Sequence, residues 1–168
     1  VDSQRIAVGG DSAGGNLAAV VALAARDSGR SQPCFQLLVY PATDQRFGFP
    51  SLERNGEGYL LTRQSMEYFR SHYLPRREDW DDWRASPLLA PSLAGLPPAL
   101  VITAGFDPLV DEGRAYAERL VREGVKTAYR EYPDMVHGFL LMGGVLDTAR
   151  LAVEECCGAL RAAYDGVK

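Results

Sequence analysis

Residues 5–23 read Arg5-Ile6-Ala7-Val8-Gly9-Gly10-Asp11-Ser12-Ala13-Gly14-Gly15-Asn16-Leu17-Ala18-Ala19-Val20-Val21-Ala22-Leu23. An apolar β-type run leads into Gly10, and an apolar helical pattern begins after Gly15, so a sharp turn separates them. The centre of that turn, Gly10-Asp11-Ser12-Ala13-Gly14, is a Gly-x-Ser-x-Gly nucleophile elbow in a strand–turn–helix setting. A serine held in such a turn exposes its hydroxyl above the sheet. Gly10 and Gly14, with the small Ala13 between, leave room for crowded backbone. The Ala13 N–H, at the helix start, is placed to donate to a developing oxyanion.

Two other readings compete for this stretch. A glycine-rich turn can simply carry an N-capping serine. A phosphate cradle is also glycine-rich, but this one lacks the Lys-Ser/Thr ending and puts Asp11 where phosphates would sit.

Working outward, the rest of the chain supplies an acid and a base in order. Ala99-Leu100-Val101-Ile102-Thr103-Ala104-Gly105 is a buried-strand run ending in Phe106-Asp107-Pro108. Asp107 stands where that strand stops and a helix over 109–123 begins, a position that also suits an N-cap before a proline. Residues 126–132 alternate as a strand, and 133–139 follow as a loop carrying His137, one of two histidines. The order Ser12, Asp107, His137 matches a nucleophile–acid–base template. Asp111, Glu112 and Asp134 are rival acids. Asp107 is preferred because a strand end can turn its carboxylate toward His137, whereas Asp44 reads as a structural loop acid.

Four segments carry a family resemblance: Gly-Asp-Ser-Ala-Gly-Gly-Asn-Leu-Ala at 10–18, Tyr-Pro-Ala-Thr-Asp at 40–44, Asp-Pro-Leu-Val-Asp-Glu-Gly at 107–113 and His-Gly-Phe at 137–139. Together they resemble the bacterial hormone-sensitive-lipase-like esterases (family IV) of the α/β-hydrolase superfamily, and they span nearly the whole chain. The resemblance implies Ser12 as nucleophile, His137 as general base and acid, Asp107 as the residue orienting it, and no metal or organic cofactor. It implies a carboxylic ester hydrolase acting on short- to medium-chain esters through an acyl-enzyme. Rival readings are a peptidase or acyl-aminoacyl hydrolase on the same fold, and an inactive fragment serving as a structural or binding module.

The family's His-Gly-Gly-Gly oxyanion loop has no counterpart here, and the chain begins at Val1, just before the elbow strand. The expectation is therefore a C-terminal portion of such an esterase, with impaired turnover because Ala13 alone offers an oxyanion donor.

The expected architecture is an α/β-hydrolase fold, a parallel sheet with flanking helices: strand 5–10, helix 13–27, strand 35–41, strand 99–105, helix 109–123, strand 126–132 and helix 145–164. Residues 1–45 and 97–168 form the catalytic domain; 46–96 are an insertion that includes part of a cap. In it, 61–69 read as a helix with Thr62 as N-cap. Met66 and Phe69 share a face that suits core packing, while the cap assignment implies a place against substrate. With Val136 and Phe139 they are the expected substrate-binding residues. Trp80 and Trp83 carry the same ambiguity, and His72 reads as a surface or capping residue.

A composition of 46% hydrophobic and 24% charged residues over 168 supports one globular domain. The net charge of −4 without a basic cluster argues against a nucleic-acid partner, and the one basic pair, Arg76-Arg77, runs straight into Glu78-Asp79. No stretch approaches a membrane span. Cys34, Cys156 and Cys157 lack metal spacing and read as reduced apolar fillers in a cytoplasmic protein. The expected partners are a small-molecule ester and, because the absent strands would expose a sheet edge, a second copy or the missing N-terminal half.

Overall fold

Strands whose two faces are both covered by helices are written as nearly continuous apolar runs, and the central strands here follow that pattern apart from the buried Gln36 and Thr103. The computed structural model describes Asp2 and residues 5–166. Four strands, β1 (Ala7–Asp11), β2 (Phe35–Val39), β3 (Ala99–Phe106) and β4 (Thr127–Val136), form one sheet in the order β1-β2-β3-β4, every pair parallel. The helices are α1 (Ala13–Asp27), α2 (Pro50–Asn55), α3 (Arg63–Tyr73), α4 (Val110–Arg122) and α5 (Asp147–Asp165).

Period-two alternation sorts the strand side chains between two cores. Leu38 of β2 and Val101 of β3 face Ala18, Ala22 and Leu23 of α1 and Tyr116 and Leu120 of α4. Val39, Leu100, Ile102 and Ala104 face the opposite way, against Phe139 and Ala149, Ala152 and Cys156 of α5. The sheet is thus sandwiched, which is the α/β-hydrolase arrangement expected.

Three departures from the sequence reading have physical causes. The second strand ends at Val39 rather than 41, because Tyr40 takes a φ of 34° that no strand residue adopts. The first helix of the 46–96 segment, α2, was not anticipated; Pro50 opens it at a position where a missing N–H costs nothing. Most consequential, residues 133–136 are strand and not loop: β4 runs on to Val136 through an irregularity in which Ala104 pairs with Tyr132 but Phe106 pairs with Val136. Pro133 is tolerated because β4 is an edge strand among the described residues.

Thr62 does cap α3, and reciprocally: its Oγ1 accepts from the Ser65 N–H, and Ser65 Oγ accepts from the Thr62 N–H. Segment 46–96 anchors through a small third cluster of Leu52, Met66 and Leu109, with Phe47 and Leu61 against it. Arg76 and Arg77 pair with Asp79 and Asp81 on the surface, as a solvated run should. Cys156 is buried filler; Cys34 is half-buried, and Cys157 is exposed and fills nothing, since it follows Cys156 by one position and so turns off the buried stripe of α5. Among the described residues, no helix is long and apolar enough to cross a membrane.

Candidate active site

All three candidate residues stand immediately after the carboxyl end of a parallel strand: Ser12 after β1, Asp107 after β3, His137 after β4. Parallel strands direct those ends to one edge of the sheet, where open α/β folds place their sites.

Ser12 has φ 55° and ψ −117°, a conformation costly for a non-glycine residue. The surroundings hold it there. Its N–H donates to the Val39 carbonyl at 2.9 Å, and its carbonyl accepts from the Asn16 N–H at 3.1 Å. A side chain at Gly10 would collide with the Gly14 carbonyl, and a Cβ at Gly15 would stand 2.9 Å from Pro41 Cβ, so β1, α1 and the loop after β2 close on one another only through glycine. Ala13 is the first residue of α1, so its N–H belongs to the first turn that has no i−4 carbonyl within the helix.

Asp107 is fully buried. Its Oδ1 accepts the Leu109 N–H at 2.8 Å and its Oδ2 faces His137 Nδ1 at 2.6 Å. Asp107 is therefore not the N-cap, which falls on Leu109: one carboxylate oxygen fixes the turn that leads into α4, and the other meets the histidine. The other imidazole nitrogen, Nε2, lies 3.0 Å from Ser12 Oγ. With a carboxylate as acceptor at Nδ1, the Nδ1–H tautomer leaves the Nε2 lone pair for the serine hydroxyl.

The rival acids are otherwise engaged. Asp111 pairs with Arg54 at 3.2 Å, and Asp134 is exposed. Asp44 is buried and gripped by Arg46 through both oxygens. Glu112 is buried with Oε1 accepting the Thr43 and Asp44 N–H groups at 2.6 and 3.2 Å. Burial pushes its carboxyl up to about 8, against the pull of those two amides, with Asp44 and Asp107 adding to the rise.

Three supporting side chains were not singled out from sequence. The Tyr40 ring packs 4.6 Å from the His137 ring, centroid to centroid, and its phenol is held well above the usual range by burial and by Asp11 and Asp107. Asn55 Nδ2 donates to the carbonyls of Gly105 and Asp107 at 3.0 and 3.1 Å, tying α2 to the end of β3. Asn16 Nδ2 does the same for the Ala42 and Ala85 carbonyls at 2.7 and 2.8 Å. A buried asparagine within an apolar helical pattern, as at position 16, is the one signal that could have been read in advance.

A cavity of about 630 Å³ opens beside Ser12 and Ala13, walled by α3 and the loop after β2. That volume suits a small molecule. Met66 and Phe69 both line it, Met66 buried and Phe69 largely exposed. Val136 and Phe139 do not. Val136 closes β4 against Phe106, and Phe139 is fully buried with Tyr40, Tyr132 and α5, so its ring faces the core. Trp80 and Trp83 also stand off the cavity: Trp80 stacks on Arg70 and donates to the Leu74 carbonyl, and Trp83 packs on the α1/α4 core. His72 stands exposed at the cavity wall.

Fold and site geometry together define a class: the chain belongs to the α/β-hydrolase-fold family, whose pattern matches residues 1–141. It is 46% identical over 164 residues to the carboxylic ester hydrolase LipN of Mycobacterium tuberculosis, covering 94% of this chain and 43% of LipN. The solved structure of an α/β-hydrolase enzyme from the metagenome of Lake Arreo superposes with a TM-score of 0.94 at 47% identity, over 98% of this chain and 52% of that one. The hyperthermophilic esterase of the archaeon Pyrobaculum calidifontis superposes with a TM-score of 0.92 at 41% identity, over 100% of this chain and 55% of that one. The chain spans about half the length of the curated relatives it matches. These relatives bear out the hormone-sensitive-lipase-like resemblance carried by the four motifs.

Proposed function

We propose that the chain carries the catalytic residues of a carboxylic ester hydrolase and works by an acyl-enzyme route. The observation that supports this most is the unbroken line from Ser12 Oγ through His137 to Asp107, 3.0 and 2.6 Å, beside a cavity sized for a small molecule. His137 Nε2 takes the Ser12 proton as Oγ attacks the ester carbonyl, and Asp107 stabilises the imidazolium that results. The Ala13 N–H donates to the carbonyl oxygen as its charge develops. His137 returns the proton to the leaving alcohol, and water then cleaves the acyl-Ser12 ester by the same steps in reverse. Segment 46–96 acts as part of a cap, with Met66 and Phe69 against the substrate.

Loss of one oxyanion donor costs about 100- to 1000-fold in turnover. Among the described residues Ala13 is the oxyanion donor that the elbow supplies, and where it acts alone slow hydrolysis is the expectation. The catalytic set is tested separately from turnover, by labelling with a fluorophosphonate and locating the adduct by mass spectrometry. Modification at Ser12, lost in Ser12→Ala and slowed in His137→Ala, supports the reading. An unreactive Ser12 in folded protein returns the chain to the binding-module alternative.

A further inference from the structure

The cavity wall holds one guanidinium with an unusual setting. The Arg70 guanidinium carbon stands over two aromatic rings, 3.7 Å from the Phe47 centroid and 3.6 Å from the Trp80 centroid. Its Nη1 donates to the Gln45 carbonyl at 2.8 Å, which fixes the rotation of the plane. Phe47 reaches this position with a φ of 60°, a strained backbone for an aromatic residue. With two rings against the guanidinium and one N–H given to Gln45, its other N–H groups are the donors it can offer in the cavity it lines.

The neighbouring charges are already matched. Arg63 pairs with Glu53 and Glu67, and Arg77 pairs with Asp81. Asp44, on the same cavity wall, is neutralised by Arg46. Glu112, the other carboxyl lining it, is taken up by two backbone amides. Among the described residues no carboxylate comes within 4 Å of Arg70, although it is half-buried and burial lowers its proton affinity. Glu67, one turn back on α3, attracts it only from beyond contact distance, and Arg77 and Arg63 oppose it, so a half-buried cation without a contacting carboxylate gains from an anionic ligand.

We infer that Arg70 is a specificity-determining residue that binds an anionic group of the substrate, so that the preferred esters carry a carboxylate on the part lying along α3. This rests on the esterase reading and narrows its substrate class to hemiesters of dicarboxylic acids or chemically equivalent anionic esters. The apolar side chains Leu61, Met66 and Phe69 cover the hydrocarbon between the two polar ends. A planar guanidinium edge meets a carboxylate through paired N–H bonds, worth about tenfold in affinity at a partly exposed site.

The test is binding by Ser12→Ala protein, which separates it from catalysis. Calorimetry would compare a monoalkyl glutarate with the corresponding neutral dialkyl glutarate. The hemiester is expected to bind about tenfold more tightly, with the ratio falling as salt rises from about 0.05 to about 0.5 M. Adding Arg70→Met should bring the ratio near one, and Arg70→Lys should retain part of it. Equal affinities in the Ser12→Ala protein, no binding of the hemiester, or a ratio that survives Arg70→Met would overturn the assignment. If Arg70→Met does not fold, Arg70→Lys and the salt dependence decide. Labelling of Ser12 with no anion preference would sink this inference alone and leave the esterase reading standing.

Discussion

Asp107 divides its carboxylate between two tasks: Oδ1 receives the Leu109 N–H at 2.8 Å and Oδ2 meets His137 Nδ1 at 2.6 Å. Asp107→Asn keeps the size and the acceptor for Leu109, but its amide can drive His137 to the wrong tautomer. The expected result is a loss of Ser12 phosphonylation rate on the order of 10³- to 10⁴-fold with little change in Tm. Labelling kinetics and a melting curve on the same preparation check both halves. Near-normal labelling would transfer the acid's role elsewhere.

The elbow depends on glycine where no side chain fits. Gly15→Ala would put a Cβ 2.9 Å from Pro41 Cβ, driving α1 away from the loop after β2. Overpacking of this kind costs about 1–3 kcal/mol. Urea unfolding should show that loss without a change in m-value, together with slower Ser12 labelling because α1 carries both Ala13 and the support for Ser12.

Asn55 is a polar staple between α2 and the end of β3. Asn55→Ala leaves the Gly105 and Asp107 carbonyls without their side-chain donor. The Asp107 carbonyl keeps the Val110 N–H at 3.2 Å, so the unpaired group is the Gly105 carbonyl, and one such group costs about 1–3 kcal/mol. The variant should lose about 1–3 kcal/mol in chemical denaturation, and its labelling should slow because the end of β3 is held less firmly. An unchanged stability would mean that solvent replaces the amide there.

Glu112 gives stability a pH dependence of definite sign. Its carboxyl titrates near 4.5 in an ordinary setting and about 8 in the folded protein. Between those values the unfolded chain has released a proton that the folded chain keeps, so stability falls as pH rises through this window and levels off above it. Glu112→Gln retains an acceptor for the Thr43 and Asp44 amides but cannot ionise. Its Tm should decline less steeply from about pH 5 to about pH 8 than that of the parent. Parallel profiles for the two proteins would acquit Glu112.

Arrangements local in the chain were legible before any coordinates. The elbow, the Thr62 cap, the buried β3 run and the order of Ser12, Asp107 and His137 all follow from short-range patterns, because backbone sterics and capping act over a few residues. The pocket residues were only half legible. Met66 and Phe69 share a face of α3 and both line the cavity, whereas Val136 and Phe139, the sequence neighbours of His137, stand away from it. Proximity along the chain says nothing about direction: Phe139, two residues on, begins a helical turn that rolls its ring into the α5 core.

By itself, then, the sequence determined that a strained serine sits between a strand and a helix, and that an acid and a histidine follow later strands in template order. Tertiary structure decided how they meet. The irregular pairing of β3 with β4 runs 132–136 opposite 104–106, and that extra length brings His137 to the end of β4 within 2.6 Å of Asp107 and 3.0 Å of Ser12. Strand register, the Tyr40 ring beside the imidazole and the aromatic clamp on Arg70 are contacts between segments tens of residues apart. Their geometry comes from the packing of the whole sheet and its helices, which no local pattern encodes.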